Sequence, residues 1–510
     1  MDDTSGTNTR SYHRPIWDDD GRYHYEITSQ PIENNHIAVC LKPADKVIPV
    51  IFIPGVMGSN LKNENDKVWC FSTSSLNKLL FANAKKRKQL LDPKTTSVDD
   101  SGEILNEGAD GKKFPSRRAR GWGSAFFKSY GEALDRLQYL LNDDDILLDN
   151  YFRETQLQTA RQRFTGVRIA DEPPEQILTE QEAAHGHLFL FPLHVFGYNW
   201  LQSNADSAQL LGKYIRSVLN SYHGRLAVNK VILITHSMGG LVARHYSENA
   251  GGQENILGVV HGVMPDLGSP TAYRRMKTGE RGVTGLIIGD SGEKLMPVLA
   301  QSPGPLQLLP GMAYGAGWLK IESSSGTTSL PKNNPYEEIY LNKTDWWRLC
   351  EQDLLLGDSQ SEWAAFQDRI KVDVEKFIEK LNGKYHPQTW LFYGASADNP
   401  SDEHLIWQER PVLPWEHVYR NPWSPACRQY NDVTFELMSS RSPGDGTVPI
   451  KAVRTRAARI RGVLATDVEH ENAYAIAPSD RAKSVYVDLS DALVFTVRSV
   501  VKIVQQVAAP

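Results

Sequence analysis

Long apolar runs are missing from this sequence. No stretch of about eighteen consecutive apolar residues occurs, so no membrane-spanning helix is predicted. The first residues, 1–6, carry neither the cationic segment nor the apolar segment of a signal peptide. We therefore expect a protein that is made in the cytoplasm without a signal peptide.

Cysteine is also scarce, and the chain has no excess of positive charge. The four cysteines are widely spaced: Cys40, Cys70, Cys350 and Cys427. Their spacing excludes a disulfide scaffold and a metal-binding cysteine pair, and free thiols are expected. The formal net charge of −5 argues against a nucleic-acid partner. With a hydrophobic content of 40%, the composition is that of an ordinary globular protein.

A strand-turn-helix pattern surrounds Ser237. Residues 231–234 are aliphatic and predict a buried strand, and a helix is predicted from Leu241 onward. A serine in such a turn projects its hydroxyl above a parallel sheet, as in a nucleophile elbow. Gly239 supplies the small residue that the turn requires, whereas Thr235 stands where a first glycine is usual. The alternative is an ordinary strand-turn-helix with an incidental serine.

A glycine-containing loop follows the first predicted core strand. The strand covers 47–53 and the loop 54–61, with Gly55 and Gly58 on either side of Met57. In an α/β-hydrolase this loop supplies one N–H group of the oxyanion hole, and the residue after the nucleophile supplies the other. We assign the two donors to Met57 and Met238. The alternative is a plain glycine turn.

The acid and the base should lie downstream if the chain order is serine, acid, histidine. Asp445 stands in the glycine-flanked turn 444–449, and His470 is the only histidine after it. We predict Ser237 as nucleophile, His470 as general base and then acid, and Asp445 as the carboxylate that orients the imidazole. Asp266 and Asp398, each just past a predicted core strand, are competing acids.

Three other histidines invite a functional interpretation. His236 adjoins Ser237 but cannot fold back to accept the serine proton, so packing is its expected role. His185 and His187 are close enough in sequence to suggest a metal, but no further ligand cluster supports one.

Strands and helices alternate through much of the chain, which predicts an α/β fold with a mostly parallel sheet and helices on both faces. Residues 1–45 form an N-terminal extension. The hydrolase core comprises 46–61, 186–273 and 387–510. Residues 62–185 form a first insertion near the active site, and 274–386 a cap or lid over the strand ends where ligands bind.

Aromatic and basic residues in these segments have two interpretations each. Trp69, Phe71 and Trp122 could contact an apolar substrate or serve as core or surface residues. The basic run 85–88 could meet an anionic surface, and the basic stretch 451–461 could meet anionic headgroups or an acidic inhibitor protein. The alternative for both is a solvated helix face.

Five motifs together resemble those of lecithin–cholesterol acyltransferase-like lipases. They occur in the family's order at 54–61, 197–200, 236–240, 444–448 and 469–470. The resemblance implies an α/β-hydrolase with a membrane-facing cap and a lid, which cleaves ester bonds of phospholipids or related lipids. The chain is also similar to bacterial lipases delivered by type VI secretion. That similarity implies export to the periplasm of a target cell and an inhibitor or immunity protein as partner.

The resulting hypothesis is a serine carboxylester hydrolase of the phospholipase A or lipase type. Its substrate is a lipid or phospholipid at a membrane surface, and it needs no cofactor or metal. One alternative is a soluble carboxylesterase, or an acyltransferase that passes the acyl group to an alcohol. A second is a catalytically silent hydrolase fold used as a binding module.

Overall fold

The computed structural model describes residues 10–13, 16–18, 22–27, 37–40, 44–64, 66–70, 78–108, 110–142, 160–170, 173–280, 289–412, 427–430, 433–453, 459–474 and 489–510. The strands of the two larger sheets are β1 Val50–Ile53, β2 Leu193–Val195, β3 Val231–His236, β4 Ile256–Gly262, β5 Leu319–Ser323, β6 Gly326–Leu330, β7 Thr389–Gly394, β8 Leu405–Pro411, β9 Cys427–Tyr430, β10 Val433–Ser439 and β11 Ile460–Thr466.

The α-helices are α1 Ala84–Leu90, α2 Asp110–Lys113, α3 Phe127–Asn142, α4 Ala160–Arg163, α5 Glu180–Gly186, α6 Asn204–Ser221, α7 Gly239–Asn249, α8 Pro270–Thr278, α9 Gly292–Ala300, α10 Pro303–Leu306, α11 Ser359–Asp368, α12 Lys376–Leu381 and α13 Asp491–Ile503. Short 3₁₀ turns are Trp122–Ser124, Pro174–Gln176, Gln253–Asn255, Met312–Tyr314, Gln352–Leu354, Ile450–Ala452 and Val504–Gln506, and π-helical turns are Tyr336–Tyr340 and Arg369–Glu375. Minor sheets pair Arg10–His13 with Ile37–Cys40, Ile16–Trp17 with Tyr23–His24, Lys46–Val47 with Phe189–Leu190, Ser396–Ser401 with Ser442–Gly444, and Leu61–Asn63 with both Asp66–Trp69 and Thr96–Val98.

The central sheet has six parallel strands in the order β2-β1-β3-β4-β7-β11. Alternate residues of β1 belong to different hydrophobic clusters, Val50 and Phe52 on one face and Ile51 and Ile53 on the other. Helices α3, α5 and α13 cover the first face, and α6 and α7 cover the second. The structure thus has the predicted mostly parallel sheet between two helical layers.

A second, five-stranded sheet has the order β6-β5-β8-β10-β9, and its strands β5 and β6 belong to the predicted cap insertion. It has its own hydrophobic cluster, which includes Trp318 of the predicted cap insertion and Trp407 of the segment that follows it. Since β5 pairs with β8, this sheet takes strands from both sides of the boundary predicted at residue 387. The sequence of β8, three apolar residues followed by three polar ones, does not reveal which sheet the strand joins.

Helix α3 also departs from the predicted division. It falls in the first insertion, 62–185, yet Leu134 and Leu137 belong to the same cluster as the central strand β1. The amphipathic pattern of α3 shows that it buries one face, but the partner of that face depends on the tertiary fold.

The described residues bear on two predictions, the lack of a membrane-spanning helix and the presence of free cysteines. Within those residues, no helix is both long enough and apolar enough to cross a membrane. Cys40 and Cys350 are free thiols, as the wide cysteine spacing predicts.

Buried histidines should make the fold sensitive to acid. Burial lowers the pKa values of His194, His236 and His261 from 6.5 to about 3. Below pH 6.5 the unfolded chain therefore binds protons that the folded chain does not. Stability is fully present above pH 6.5 and is lost as the pH falls towards 3, by about 1 kcal/mol per histidine per pH unit.

We expect urea midpoints to show this loss between pH 7.5 and pH 5. In His194→Gln the free energy of unfolding should fall less steeply as the pH falls, by about the contribution of one buried histidine. The variant His223→Gln, at an exposed position, should leave this pH dependence unchanged. Equal pH dependence in both variants would contradict the assignment.

Candidate active site

Ser237 stands between the end of β3 and the start of α7. Its φ of 51° is the left-handed conformation of a sharp turn, and its N–H donates to the Gly262 carbonyl over 2.9 Å. A Cβ atom at Gly239 would lie 2.5 Å from the carbonyl oxygens of Ile53 and Pro54. The turn is wedged between the ends of β1 and β4, so it requires a glycine here.

Thr235, the departure from the usual elbow pattern, does not crowd the turn. It lies opposite His261 in the β3–β4 register, and its hydroxyl is 2.8 Å from His261 Nδ1. The Tyr474 hydroxyl donates to the Thr235 carbonyl over 3.1 Å. Because its side chain bonds to β4, a threonine fits where a glycine is usual.

The three residues predicted from widely separated motifs come together in one hydrogen-bonded chain. His470 Nε2 is 2.8 Å from Ser237 Oγ, and His470 Nδ1 is 2.8 Å from Asp445 Oδ2. The His470 N–H also donates to the Asp445 carbonyl over 2.7 Å. This second link fixes the backbone of His470 relative to Asp445 as well as the imidazole.

Asp445 is a buried carboxylate with a partner on each oxygen. While Oδ2 faces His470, Oδ1 accepts the N–H groups of Thr447 at 2.9 Å and Val448 at 2.6 Å. The Ser401 hydroxyl accepts the N–H groups of Asp445 at 3.1 Å and Gly446 at 2.9 Å, which holds the turn in place. Ser401 was not predicted, since nothing in the sequence links it to a turn 44 residues away.

The two competing acids have other surroundings. The side chain of Asp266 is only 3% exposed and bonds to the guanidinium of Arg244 and the hydroxyl of Tyr385. Asp398 is exposed to solvent, and its N–H donates to the Ser396 hydroxyl. Among the described residues, the carboxylate that bonds to His470 is that of Asp445.

His236 is buried, as expected for a packing residue, and it is hydrogen-bonded on both sides. Its burial, and then the neighbouring His470, lower its pKa to about 3, so the ring is neutral. Since Nε2 lies 2.8 Å from the His470 carbonyl, Nε2 carries the proton and Nδ1 accepts. The Tyr130 hydroxyl donates to Nδ1 over 2.8 Å and accepts the Gly55 N–H over 3.1 Å. This network, which was not predicted, joins the Gly55 loop to the backbone of His470.

Of the predicted oxyanion donors, Met238 directly follows Ser237 in the chain, and Met57 lines the same cavity as Ser237. Met57 has a φ of 61°, and its carbonyl accepts the indole N–H of Trp69 over 2.7 Å. Met238 is the N-cap residue of α7, where backbone N–H groups lack intrahelical acceptors. The bond from Trp69 fixes the Met57 carbonyl, and the role of the two N–H groups as oxyanion donors stays a prediction.

A cavity of about 380 Å³ opens above Ser237 and His470. Its walls are mainly apolar side chains, which come from the loop after β1, from α9 and from the neighbouring turns: Val56, Met57, Trp69, Leu91, Phe126, Trp200, Leu295, Val298, Leu299, Pro305 and Leu308. Lys128, Arg275 and Glu471 contribute charged groups to the lining. The volume and lining are those of a small-molecule site with an apolar ligand portion.

The predicted aromatic contacts divide between this cavity and the core. Trp69 lines the cavity. Trp122 is buried, and the Arg117 guanidinium lies over the Trp122 ring, 4.5 Å from the ring centroid. The indole N–H of Trp122 donates to the Leu193 carbonyl. Phe71 lies outside the described residues.

The alternative metal interpretation of His185 and His187 finds no support among the described residues. No group of three or more histidine, cysteine or acidic side chains there could hold a metal ion. His185 Nε2 instead bonds to the Val507 carbonyl over 2.9 Å, which fastens the C-terminal segment to α5.

Comparisons with known proteins agree with this architecture. Residues 201–278 match the model of a PGAP1-like alpha/beta domain. A chain of a solved structure described as the crystal structure of the Tle4-Tli4 complex superposes with a TM-score of 0.76 at 27% identity, covering 92% of this chain and 100% of that one. The chain has an α/β-hydrolase fold. Among curated proteins, none matches significantly. The resemblance to lecithin–cholesterol acyltransferase-like lipases stays a prediction.

Proposed function

We propose that the protein is a serine carboxylester hydrolase that acts on phospholipids or related lipids. The observation that carries this proposal is the chain from Ser237 Oγ through His470 to Asp445, with 2.8 Å at each link, at the base of an apolar cavity of about 380 Å³. Nucleophile, base and orienting acid within hydrogen-bond distance are what acyl transfer through a covalent intermediate needs. The apolar walls supply surface for an acyl chain.

In this reaction Ser237 Oγ attacks the ester carbonyl carbon while its proton passes to His470 Nε2. The tetrahedral oxyanion accepts the N–H groups of Met57 and Met238. As the bond to the alcohol breaks, His470 returns the proton to the leaving oxygen. Water then attacks the acyl-serine with His470 as base, and a fatty acid and free Ser237 result.

The same proposal includes a partner and a route of export. The matched chain comes from a complex of two proteins, Tle4 and Tli4, which supports an immunity protein as a partner of this chain. We therefore propose a type VI secretion lipase effector that is exported to the periplasm of a target cell and is restrained by an immunity protein.

A long-chain p-nitrophenyl alkylphosphonate tests the site directly. Ser237 Oγ should attack phosphorus and expel p-nitrophenolate, so that mass spectrometry finds the alkylphosphonyl group on the peptide containing Ser237. His470→Ala should slow this labelling at least a hundredfold. Labelling of another serine, or none, contradicts the proposal. Equal rates with long-chain and short-chain probes favour a soluble carboxylesterase, and acyl transfer to added glycerol favours an acyltransferase.

Tyr130→Phe should weaken both fold and activity. Loss of the hydroxyl leaves the Gly55 N–H and His236 Nδ1 without a buried partner, at about 1–3 kcal/mol each. We expect a fall of about 2–6 kcal/mol in the free energy of unfolding and about tenfold in kcat for a soluble ester, with KM little changed. Tyr214→Phe is the matched control. Tyr214 is largely buried and does not line the cavity, and its hydroxyl donates a hydrogen bond of 3.1 Å to the Arg120 carbonyl. A kcat equal to that of the control variant would show that the network is structural only.

A further inference from the structure

We infer that residues 78–91, the α1 surface, dock the protein on a bilayer that contains anionic phospholipids. The inference rests on the proposed function, since it assigns the surface through which the same site reaches its substrate. It starts from Phe81, whose side chain is 83% exposed, the largest exposed fraction among the exposed large hydrophobic residues. Leu80 beside it is 40% exposed. An aromatic side chain in water next to an aliphatic one is typical of an interaction surface.

The charges that follow Phe81 differ from one another in their surroundings. Lys85 and Lys86 are exposed, and within the described residues neither has an ion pair. Lys88 bonds to Glu362 over 2.8 Å, and Arg87 is fully buried. Within the basic run 85–88, only Lys85 and Lys86 are therefore exposed to solvent without an ion pair among the described residues. The exposed Lys85 and Lys86 stand on the same short helix that the exposed Phe81 precedes.

The α1 surface is fastened to the wall of the cavity. Gln301, directly after α9, donates its amide to the carbonyls of Lys88 at 2.7 Å and Leu91 at 3.1 Å. Leu91 lines the cavity above Ser237, as do Leu295 and Val298 of α9. With about 1.5 Å of rise per residue, α1 is only about 10 Å long. A bilayer that receives Phe81 thus lies close to the cavity wall.

The chemistry of this surface favours a lipid bilayer as its occupant. Aromatic and aliphatic side chains insert at the headgroup boundary, and each nearby lysine contributes about 1 kcal/mol of attraction to anionic lipids. The net charge of −5 gives the molecule as a whole no attraction to such a surface, so a local cationic patch must supply it. Docking here presents the apolar cavity to the acyl chains of the same bilayer.

Vesicle flotation of full-length protein in the Ser237→Ala background tests this inference, because binding is then measured without hydrolysis. The vesicles are phosphatidylcholine alone, or phosphatidylcholine with phosphatidylglycerol. Lys85→Gln with Lys86→Gln should lower partition to the anionic vesicles on the order of tenfold and leave partition to neutral vesicles unchanged. Phe81→Ser should lower partition to both about tenfold.

The matched control is α6, which carries exposed Leu210 with exposed Lys213 and Arg216 and does not line the cavity. Leu210→Ser, and Lys213→Gln with Arg216→Gln, should leave partition within about twofold of the parent. Equal losses at α1 and α6, no loss at α1, or no binding of the parent protein to anionic vesicles would each overturn the inference.

Failure of the docking surface and failure of the proposed function give different results. The α1 variants with Ser237 intact should hydrolyse a soluble short-chain ester and react with the phosphonate at the parent's rate. Lost labelling in the parent contradicts the hydrolase proposal alone, since flotation needs no catalysis.

Discussion

Ser237→Ala should lower kcat/KM for a soluble short-chain ester by about 10⁵–10⁶-fold. The hydroxyl of Ser237 is 2.8 Å from His470 Nε2, and alanine leaves the proposed base with no proton to accept. Without the nucleophile, only the proposed oxyanion donors and the cavity remain to assist direct attack by water, and this residual catalysis is small. The fold should be unaffected, because Ser237 contributes its N–H, not its side chain, to the bond with Gly262.

Ser129→Ala is the control for this experiment. Ser129 also lines the cavity, but it is exposed and stands apart from the chain of hydrogen bonds that joins Ser237, His470 and Asp445. Its kcat/KM should stay within about threefold of the parent's value. If Ser237→Ala and Ser129→Ala were equally active, Ser237 would not be the nucleophile.

Asp445→Asn should lower kcat by about 10⁴-fold with little change in KM. The N–H groups of Thr447 and Val448 both point at Oδ1, so an asparagine keeps its oxygen there and turns its NH₂ group towards His470. That group donates to Nδ1, so Nδ1 becomes the acceptor and the proton moves to Nε2. His470 can then no longer take the proton of Ser237.

Asp398→Asn provides the comparison for this variant, since Asp398 was a competing acid and is exposed. We expect it to keep the parent's kcat. The opposite ranking, with Asp398→Asn the weaker enzyme, would require a different orienting acid from the one that the structure brings next to His470.

The three residues of the proposed triad could be predicted because each stands just beyond the end of a strand or in a glycine-flanked turn. The carboxyl ends of parallel strands meet at one edge of a sheet, so Ser237 after β3 and His470 after β11 lie at the same edge. Asp445 instead follows the minor strand Ser442–Gly444, which pairs with Ser396–Ser401 just past β7. Their order along the chain and the single histidine after Asp445 then restrict the combinations.

The groups that support these residues could not be predicted in the same way. Tyr130 contacts His236 across 106 positions of sequence, and Ser401 bonds to the Asp445 turn across 44. No local sequence pattern indicates either hydrogen bond, since a buried tyrosine or serine has many possible partners in a chain. The pairing of β8 with β5 was similarly hidden, because the local sequence of β8 does not specify its neighbour in a sheet.

Release of fatty acid from phosphatidylcholine–phosphatidylglycerol vesicles by the parent protein, beside Ser237→Ala, tests the proposed lipid hydrolase most directly. Fatty acid and lysophospholipid should appear together with the parent, and neither should appear above background with Ser237→Ala. If the parent cleaves only soluble short-chain esters, the triad stands but its substrate is not a membrane lipid. Equal release by both proteins would contradict catalysis by Ser237.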